Sequence, residues 1–196
     1  MASEIERKFL VSTPVAWRGE ELGASSVHID QGYLTPPGAK VEIRLRRARE
    51  VTRKSADSPV PASKTGPHGV NRVWKMTIKG PREDSVAGLV REEVEIDLDQ
   101  AEFERLWPLT KDRRIRKVRT SCSLRTGTSE MLVACLDDFR DKLEGLDMVE
   151  VEFESEQEAE AFVPPSFFGT EVTGDPRYRN AELAGADGPP SREPDR

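Results

Sequence analysis

The chain has 196 residues, of which 34% are charged, and its 36 acidic and 30 basic side chains give a net charge of -6. This length fits one domain with a sizeable core, and the acidic balance argues against a nucleic-acid binder that works through bulk charge. The two cysteines, Cys122 and Cys135, form neither a metal-binding spacing nor a disulfide framework. Without an apolar signal region or a long apolar run, the chain is expected to be cytoplasmic and not to enter a membrane.

The predicted elements are mostly β-strands. Apolar and polar residues alternate along eight segments, which is the period of a strand with one buried face. In chain order these segments are 2–11, about 27–34, 40–49, 71–80, about 89–98, about 113–125, about 130–139 and 147–154. Short turns join most of them, so the sequence predicts an α+β fold that is mainly antiparallel β, with eight strands closed into a barrel.

A few helices and two irregular segments complete the predicted organisation. Short helices are predicted at about 13–22, from the cap Asp99 through Trp107, at 155–162 and at 177–184. Residues 50–70 lack periodicity, which predicts a flexible insertion, with a lid over the site as the functional alternative. The polar tail 185–196 is predicted to be disordered, so the domain is predicted to span 1–184.

Three charged side chains share one face of the first predicted strand. Side chains alternate along a strand, so Glu4, Glu6 and Lys8 point the same way, with neighbours about 6.6 Å apart. Two carboxylates at this spacing can bind one hard cation, and the lysine can hold the anion that the cation carries. A solvated strand face of mixed charge explains this triplet equally well.

Charges of opposite sign are sorted among the predicted strands. Carboxylates concentrate on the first, fifth and eighth strands, and basic groups concentrate on the third, fourth and sixth. Arginines two residues apart, as at Arg44 and Arg46, suit phosphate because each planar guanidinium can bind two oxygens. If these faces line a closed pocket, it would hold a polyanion on one wall and a divalent cation on the other. If they face solvent, the opposite apolar faces form an ordinary core.

Several short motifs recur in a particular order and spacing. They are Glu4-Ile5-Glu6-Arg7-Lys8, Gln31-Gly32-Tyr33-Leu34, Ile43-Arg44-Leu45-Arg46, Thr77-Ile78-Lys79-Gly80, Arg91-x-Glu93-x-Glu95, Lys117-x-Arg119, Asp137-x-Phe139, Gly145-Leu146, Glu150-x-Glu152, Glu171-Val172-Thr173 and Arg177-Tyr178-x-Asn180. Together they resemble the CYTH superfamily, the triphosphate tunnel metalloenzymes, over about residues 3–184. The opening motif and the Gln-Gly-Tyr-Leu motif are most similar to those of bacterial inorganic triphosphatases.

The resemblance implies a fold and an activity. The implied fold is an eight-stranded antiparallel β-tunnel with a charged interior and a few flanking helices. The implied activity is hydrolysis of inorganic triphosphate (tripolyphosphate) to pyrophosphate and phosphate, with Mg²⁺ or Mn²⁺ as the cofactor. The alternatives are a thiamine triphosphatase, a nucleoside triphosphatase, an adenylate cyclase or a non-catalytic polyphosphate-binding module. Because Trp17, Trp74 and Trp107 are predicted to lie in the core, no aromatic platform for a base is evident, which favours the inorganic substrate.

The resemblance also implies roles for individual residues. The implied catalytic residues are Glu4, Glu6, Lys8, Lys79 and Glu95. The implied substrate-binding residues are Lys8, Arg44, Arg46, Lys75, Lys79, Arg91, Lys117 and Arg119. The implied metal ligands are Glu4, Glu6, Asp137, Glu150 and Glu152, with a second metal near Asp137 and Glu95 that would activate the attacking water. Glu93 is either a metal ligand or a salt-bridge partner of Arg91.

One residue departs from the family pattern. The family often has a glutamate two residues before the position of Asp137, and this chain has Cys135 there. The change removes one metal or water ligand, and a soft thiolate suits Zn²⁺ better than Mg²⁺. We therefore expect Cys135 to be a buried, inert thiol. The expected partner is a small-molecule triphosphate rather than a nucleic acid or a membrane, and self-association into a homodimer is left open.

Overall fold

The computed structural model describes residues 5–11, 25–50, 72–81, 83–85, 88–90, 92–125 and 131–191. The strands are β1 (Ile5–Leu10), β2 (Ser25–Tyr33), β3 (Glu42–Glu50), β4 (Arg72–Lys79), β5 (Glu83–Ser85), β6 (Gly88–Val90), β7 (Glu93–Leu98), β8 (Arg114–Arg125), β9 (Met131–Phe139) and β10 (Asp147–Phe153). The α-helices are α1 (Gln100–Leu106), α2 (Glu156–Ala161) and α3 (Asn180–Leu183). Short 3₁₀ turns lie at Trp107–Thr110, Asp141–Leu143 and Pro176–Tyr178.

The predicted eight-stranded antiparallel sheet is confirmed. Within the described residues its strand order is β1-β10-β9-β8-β2-β3-β4-β7, and every neighbouring pair is antiparallel. The sequence did not predict the hairpin of β5 and β6, which forms a separate small sheet. The predicted fifth strand, about 89–98, is therefore divided between β6 and β7.

The sheet differs from the predicted barrel at its two edges. No hydrogen-bonded pairing joins β1 to β7 within the described residues. The free edge of β1 is instead partly occupied by residues 169–172, because Leu10 N donates to Thr170 O at 2.8 Å and Val172 N donates to Lys8 O at 2.8 Å. β6 lies beside β1 but pairs with β5, so the chain approaches closure without completing a hydrogen-bonded ring.

The largest apolar cluster lies on the outer face of the sheet. This outer cluster comprises Ile5, Phe9, Val11, Cys122, Leu124, Leu132, Ala134, Leu136, Val149, Val151, Phe153, Ala159, Phe162 and Phe168. Helix α2 packs against β1 and β10 here, Phe162 and Phe168 of the segment after it join the cluster, and the Phe9 and Phe168 rings are 5.0 Å apart. Burying apolar side chains on the outside leaves the inner face available for polar ones.

A second cluster closes one end of the inner face. This inner cluster comprises Leu10, Tyr33, Ile115, Phe139, Leu143, Leu146, Met148, Val172, Tyr178, Leu183 and Ala184. Its strand residues have the same parity as Lys8, Lys117 and Glu150, so they continue the charged face into an apolar end. Tyr178 and Leu183 of the C-terminal segment fill this end, with exposures of 2% and 0%.

One glycine is required by a close approach. A Cβ at Gly32 of β2 would lie 2.6 Å from Thr110 Cβ and 2.5 Å from Thr110 Oγ1. The 3₁₀ turn that ends at Thr110 therefore packs directly against the outer face of β2. This contact explains the glycine of the Gln-Gly-Tyr-Leu motif.

The predicted helices agree with the structure where it describes them. Asp99 caps α1 through a capping box with Glu102, Ser155 caps α2, and 177–184 contains a 3₁₀ turn and α3. The predicted helix at about 13–22 and nearly all of the predicted insertion lie outside the described residues. In the described part of the chain, no helix has both the length and the apolar character needed to span a membrane. The domain limits 1–184 remain a prediction.

Candidate active site

The inner face of the sheet lines a cavity of about 560 Å³. Its wall comprises Glu6, Lys8, Ile29, Gln31, Tyr33, Glu42, Arg44, Arg46, Lys79, Glu93, Glu95, Lys117, Arg119, Glu150, Glu152, Arg179, Asn180 and Ala181. Most of these side chains are charged. The strands therefore present their charged faces inward, in contrast to an ordinary barrel with an apolar interior.

Two arginines of β3 form the centre of the basic wall. Arg44 Nη2 donates to Thr77 Oγ1 at 3.1 Å and lies 3.8 Å from Glu93 Oε1. The Nε atoms of both Arg44 and Arg46 are buried without a hydrogen-bond partner in the described structure. Burial lowers the pKa of Arg46, and the nearby charges of Arg119 and Arg44 lower it further. Buried donors without acceptors and like charges in proximity favour a bound anion at this wall.

The basic wall continues onto β4. Lys79 is 4% exposed, and its Nζ lies 2.7 Å from Glu93 Oε2. Glu93 therefore serves as an ion-pair partner of Lys79 and Arg44, whereas its predicted partner Arg91 lies outside the described residues. Lys75, predicted to bind substrate, pairs with Glu95 near the rim, where about a third of each side chain is exposed.

The acidic wall forms where β1 meets β10. Glu6 pairs in register with Glu152, and Lys8 pairs with Glu150. Lys8 Nζ lies 3.0 Å from Glu6 Oε1 and 3.0 Å from Glu150 Oε1. Burial opposes the charge of Lys8, but the carboxylates of Glu150 and Glu6 raise its pKa above the ordinary value. Glu4, the third member of the predicted triplet, lies outside the described residues.

Asp137 lies at the base of this wall. It is fully buried, and its carboxylate accepts from Lys117 Nζ at 2.6 Å and from Arg119 Nε at 2.7 Å. Arg119 also donates to Glu150, which it shares with Lys8. Burial opposes the charge of Glu150, yet Lys8 and Arg119 hold its pKa well below the ordinary value.

Lys117 is the most deeply buried base of the cavity. Only 2% of it is exposed, and burial lowers its pKa to about 8, although the charge of Asp137 opposes the decrease. Its Nζ also donates to Asn180 Oδ1 at 3.3 Å. The protonation of Lys117 is therefore sensitive to an added anion, which would favour the charged form.

The predicted metal ligands differ in whether they line the cavity. Glu6, Glu150 and Glu152 lie on the cavity wall, whereas both oxygens of Asp137 already accept from Lys117 and Arg119. The described residues contain no ready-made group of three His, Cys, Asp or Glu ligands. Two facing carboxylates nevertheless fit Mg²⁺, which proteins commonly hold through one or two carboxylates, several waters and substrate phosphates.

The second predicted metal position is less well prepared. Asp137 on β9 and Glu95 on β7 are separated by four strands, β8, β2, β3 and β4. Cys135, which departs from the family pattern, is half-buried, and its Sγ lies 3.4 Å from Ser121 Oγ. Burial raises the pKa of this thiol, which keeps it protonated and unreactive. A second metal at this position remains a prediction.

The sequence indicated either phosphate contact or packing for Tyr33, and it indicated no role for the wall residues Gln31, Arg179, Asn180 and Ala181. Gln31 Nε2 donates to the hydroxyl of Tyr33, and both residues are almost completely buried. Tyr33 combines packing in the inner cluster with a place on the cavity wall. Arg179, Asn180 and Ala181 reach the wall from the C-terminal segment. The motif Arg177-Tyr178-x-Asn180 marked this segment, but no local pattern indicates that it returns to the cavity.

Comparison with known proteins identifies the family. The sequence matches the CYTH domain over residues 2–164. The chain belongs to the CYTH family. This CYTH protein is 41% identical, over 182 residues, to an inorganic triphosphatase of Nitrosomonas europaea, and the match covers 93% of this chain and 97% of that protein.

Two solved structures share the CYTH fold described above. One is the crystal structure of an inorganic triphosphatase, with 36% identity and a TM-score of 0.58 over 95% of this chain and 97% of the other. A second structure of that same protein, there described as a hypothetical protein, has 38% identity and a TM-score of 0.58 over 94% of this chain and 99% of the other. CYTH triphosphatases generally depend on a divalent metal ion, which agrees with the acidic wall.

Proposed function

We propose that this CYTH protein hydrolyses inorganic triphosphate to pyrophosphate and phosphate. The observation that carries the proposal is a basic wall with buried, unsatisfied guanidinium donors at Arg44 and Arg46, which shares one cavity with a wall of carboxylates. A linear polyanion neutralised by a divalent cation matches this division of charge. The related inorganic triphosphatase supports the same substrate class.

The bases of the cavity would bind the phosphate oxygens. Arg44, Arg46 and Arg119 provide planar guanidinium groups, each of which can bind two oxygens at once. Lys79 and Lys8 add point charges, with Lys117 behind them and Lys75 at the rim. These charges would offset the charge that develops on the leaving pyrophosphate, which is the main catalytic requirement of phosphoryl transfer.

The carboxylates of the cavity would hold the metal, for which we propose Mg²⁺ or Mn²⁺. Glu6, Glu150 and Glu152 supply the hard oxygen ligands that these ions prefer, and Glu4 remains a predicted fourth ligand. When bound, the metal would neutralise the triphosphate and activate a water molecule. Lys8, which now bridges Glu6 and Glu150, is placed to release both carboxylates when its ammonium turns to a phosphate.

The cavity wall favours an inorganic substrate over a nucleotide. Among the described residues that line the cavity, Tyr33 alone carries an aromatic ring, and it is 1% exposed. A base would need an accessible aromatic or apolar face on which to stack. Trp107 packs against Phe103 on the outside of the sheet, with ring centroids 5.1 Å apart, and is not such a platform.

Phosphate release from a substrate panel tests the proposal. Tripolyphosphate, ATP and thiamine triphosphate would each be incubated with Mg²⁺, with Mn²⁺ and with EDTA. The proposal predicts metal-dependent release that is fastest from tripolyphosphate and absent in EDTA. Faster release from an organic substrate would move the assignment to that substrate.

A carboxamide variant separates an enzyme from a binding module. Glu6→Gln is expected to abolish turnover while tripolyphosphate still binds, because the basic wall is intact and one negative charge is lost. If wild-type protein binds tripolyphosphate but neither protein releases phosphate with any metal, the chain is a binding module and the hydrolase proposal is wrong.

A further inference from the structure

The C-terminal segment contributes an arginine to the cavity that no family motif assigns. Arg179 follows the 3₁₀ turn at Pro176–Tyr178 and precedes α3. Its side chain lines the cavity at the end where β2 finishes and β3 begins. It also lines an adjoining groove of about 410 Å³, formed with residues of the turn between these strands. Arg179 therefore stands between the cavity and the groove.

Arg179 shares a feature with the two central arginines, which among the described arginines is otherwise found at Arg113, outside the cavity wall. Its Nε is buried and has no hydrogen-bond partner in the described structure, as for Arg44 and Arg46. All three guanidinium groups line the same cavity. Since nearly all buried donors in folded proteins are satisfied, three such donors at one cavity require acceptors inside it, which a bound anion would supply.

The neighbouring Arg177 provides a contrast. Its Nη2 donates to Asp175 Oδ2 at 2.7 Å, and its Nε donates to Asp175 Oδ1 at 3.1 Å. These hydrogen bonds lower the pKa of Asp175. Arg179 also lowers this pKa, but through its charge and not through a hydrogen bond. Arg177 thus binds a carboxylate of its own segment, whereas Arg179 lines the cavity.

The backbone that carries Arg179 is held firmly in place. Tyr178 and Leu183 on either side are buried in the inner cluster. Asn180 accepts from Lys117 of the cavity at 3.3 Å, and Ala181 O accepts from Arg113 Nη2 at 3.2 Å. Because the backbone is already ordered, binding an anion costs conformational entropy only in the Arg179 side chain.

We propose that Arg179 binds a terminal phosphate of the substrate and thereby selects inorganic triphosphate over organic triphosphates. This inference rests on the proposed function. A residue at the end of the cavity meets the end of the phosphate chain, and an unesterified terminal phosphate offers the guanidinium three oxygens, two of which it can bind at once. An organic triphosphate with its esterified phosphate at the same position would offer one oxygen fewer and less negative charge, and its organic group would have to pass Arg179 to reach the groove.

Kinetics of Arg179→Ala test the inference. The variant is expected to lose about 10- to 100-fold in kcat/KM for tripolyphosphate, mainly through KM, because one charge-assisted contact is removed. Its kcat/KM for ATP should change by less than about threefold or increase. Arg179→Lys should recover only part of the loss, because an ammonium lacks the planar fork. Arg177→Ala is the matched control and should keep the wild-type KM.

Binding measurements make the test independent of turnover. Calorimetric titration with tripolyphosphate in EDTA should show weaker binding for Arg179→Ala than for wild type and Arg177→Ala, with thermal unfolding as the check on folding. If Arg179→Ala does not fold, Arg179→Lys and Arg179→Gln replace it in both assays.

Failure of the inference can be told from failure of the proposed function. If wild type hydrolyses tripolyphosphate and the Arg179 variants keep its KM and selectivity, the role of Arg179 is wrong and the function stands. If wild type does not hydrolyse tripolyphosphate, the proposed function is wrong. The inference is then also overturned if Arg179→Ala binds tripolyphosphate as tightly as wild type, or if wild type does not bind it at all.

Discussion

The two faces of the sheet use the same kinds of charged residue in different ways. On the outer face, Asp30 accepts from Arg47 Nη2 at 2.7 Å and from Arg116 Nε at 3.0 Å. On the inner face, Arg44 and Arg46 have buried donors without partners. The outer charges are satisfied by the protein itself, whereas the inner charges are incompletely satisfied until an anion binds. Alternating residues of β3 therefore suit two purposes, stability at Arg47 and, in the proposed function, substrate binding at Arg44 and Arg46.

A second pair of regions repeats the contrast. Arg7 on the outer face of β1 binds Glu171 with Nη2 to Oε2 at 2.6 Å, and it also donates to the carbonyl oxygens of Ala159 and Phe162. Lys8 on the inner face holds Glu6 and Glu150, two carboxylates that we assign to the metal. Arg7 fixes the segment that covers the outer cluster, and Lys8 neutralises the two proposed metal ligands.

The largest expected loss of activity follows from removing the central arginines of the inner face. Replacing both central arginines, Arg44→Ala with Arg46→Ala, should lower kcat/KM for tripolyphosphate by at least about 1000-fold, since each guanidinium contributes a charge-assisted contact to the transition state. Steady-state phosphate release measures it. Arg47→Ala on the outer face is the control and should keep turnover within about threefold. Unchanged turnover in the double variant would show that the cavity is not the active site.

Removing one inner carboxylate should have the next largest effect. Glu150→Gln keeps the shape of the side chain but removes a charge that Lys8 and Arg119 share. We expect turnover to fall by about 100-fold or more, because a proposed metal ligand is weakened. Glu171→Gln, which changes an outer-face carboxylate, should leave turnover nearly unchanged. Equal losses in the two variants would contradict the division between the faces.

Stability should respond in the opposite direction to activity at one inner position. Arg46 lies near Arg44 and Arg119, and burial together with these like charges lowers its pKa. Arg46→Met should therefore raise the free energy of unfolding by about 1–3 kcal/mol without phosphate present. Urea unfolding in a phosphate-free buffer gives the value. A less stable Arg46→Met protein would mean that Arg46 stabilises the fold rather than waiting for a ligand.

The smallest effect concerns the outer face and depends on pH. Hydrogen bonds from Arg47 and Arg116 lower the pKa of Asp30, although burial opposes them. A carboxylate with a depressed pKa adds stability above its unfolded pKa of about 3.9, and this stability disappears as pH falls through the lower folded pKa. Asp30→Asn should cost about 0.5–1 kcal/mol at pH 7. The difference in the free energy of unfolding between wild type and Asp30→Asn should shrink below about pH 4. Unfolding curves recorded across pH measure it. A difference that persists in acid would show that the ion pair is not its cause.

The sequence predicted the strands and which charges share a face because both depend on a local period, whereas the resemblance to the family implied that the charged faces line the interior. Alternation along β3 places Arg44 and Arg46 on one face whatever their partners are. The hairpin of β5 and β6 could not be predicted, since strands of three residues are too short to show alternation. The pairing of 169–172 with β1 has no local signal either, and within the described residues it partly occupies the edge at which the predicted barrel would close.

Most of the charged residues that line the cavity could be predicted from the sequence, but their hydrogen-bond and ion-pair partners could not. Sequence placed Asp137 among the metal ligands, but its contacts with Lys117 and Arg119 depend on the register of β8 against β9. Glu93 was open between two roles, and its contact with Lys79 follows from the register of β4 against β7. Arg179 reaches the cavity only because Tyr178 and Leu183 are buried, which is a tertiary effect.

Thermal unfolding with and without tripolyphosphate tests the central claim most directly. The experiment uses EDTA to exclude metal and sodium sulfate at matched ionic strength as the control. If the inner charges await a polyanion, tripolyphosphate should raise the melting temperature of wild type and of Asp30→Asn by several degrees more than sulfate, but should not raise that of Arg44→Ala with Arg46→Ala. Equal shifts with tripolyphosphate and sulfate, or an undiminished shift in the double variant, would contradict the claim that the inner face is built to bind triphosphate.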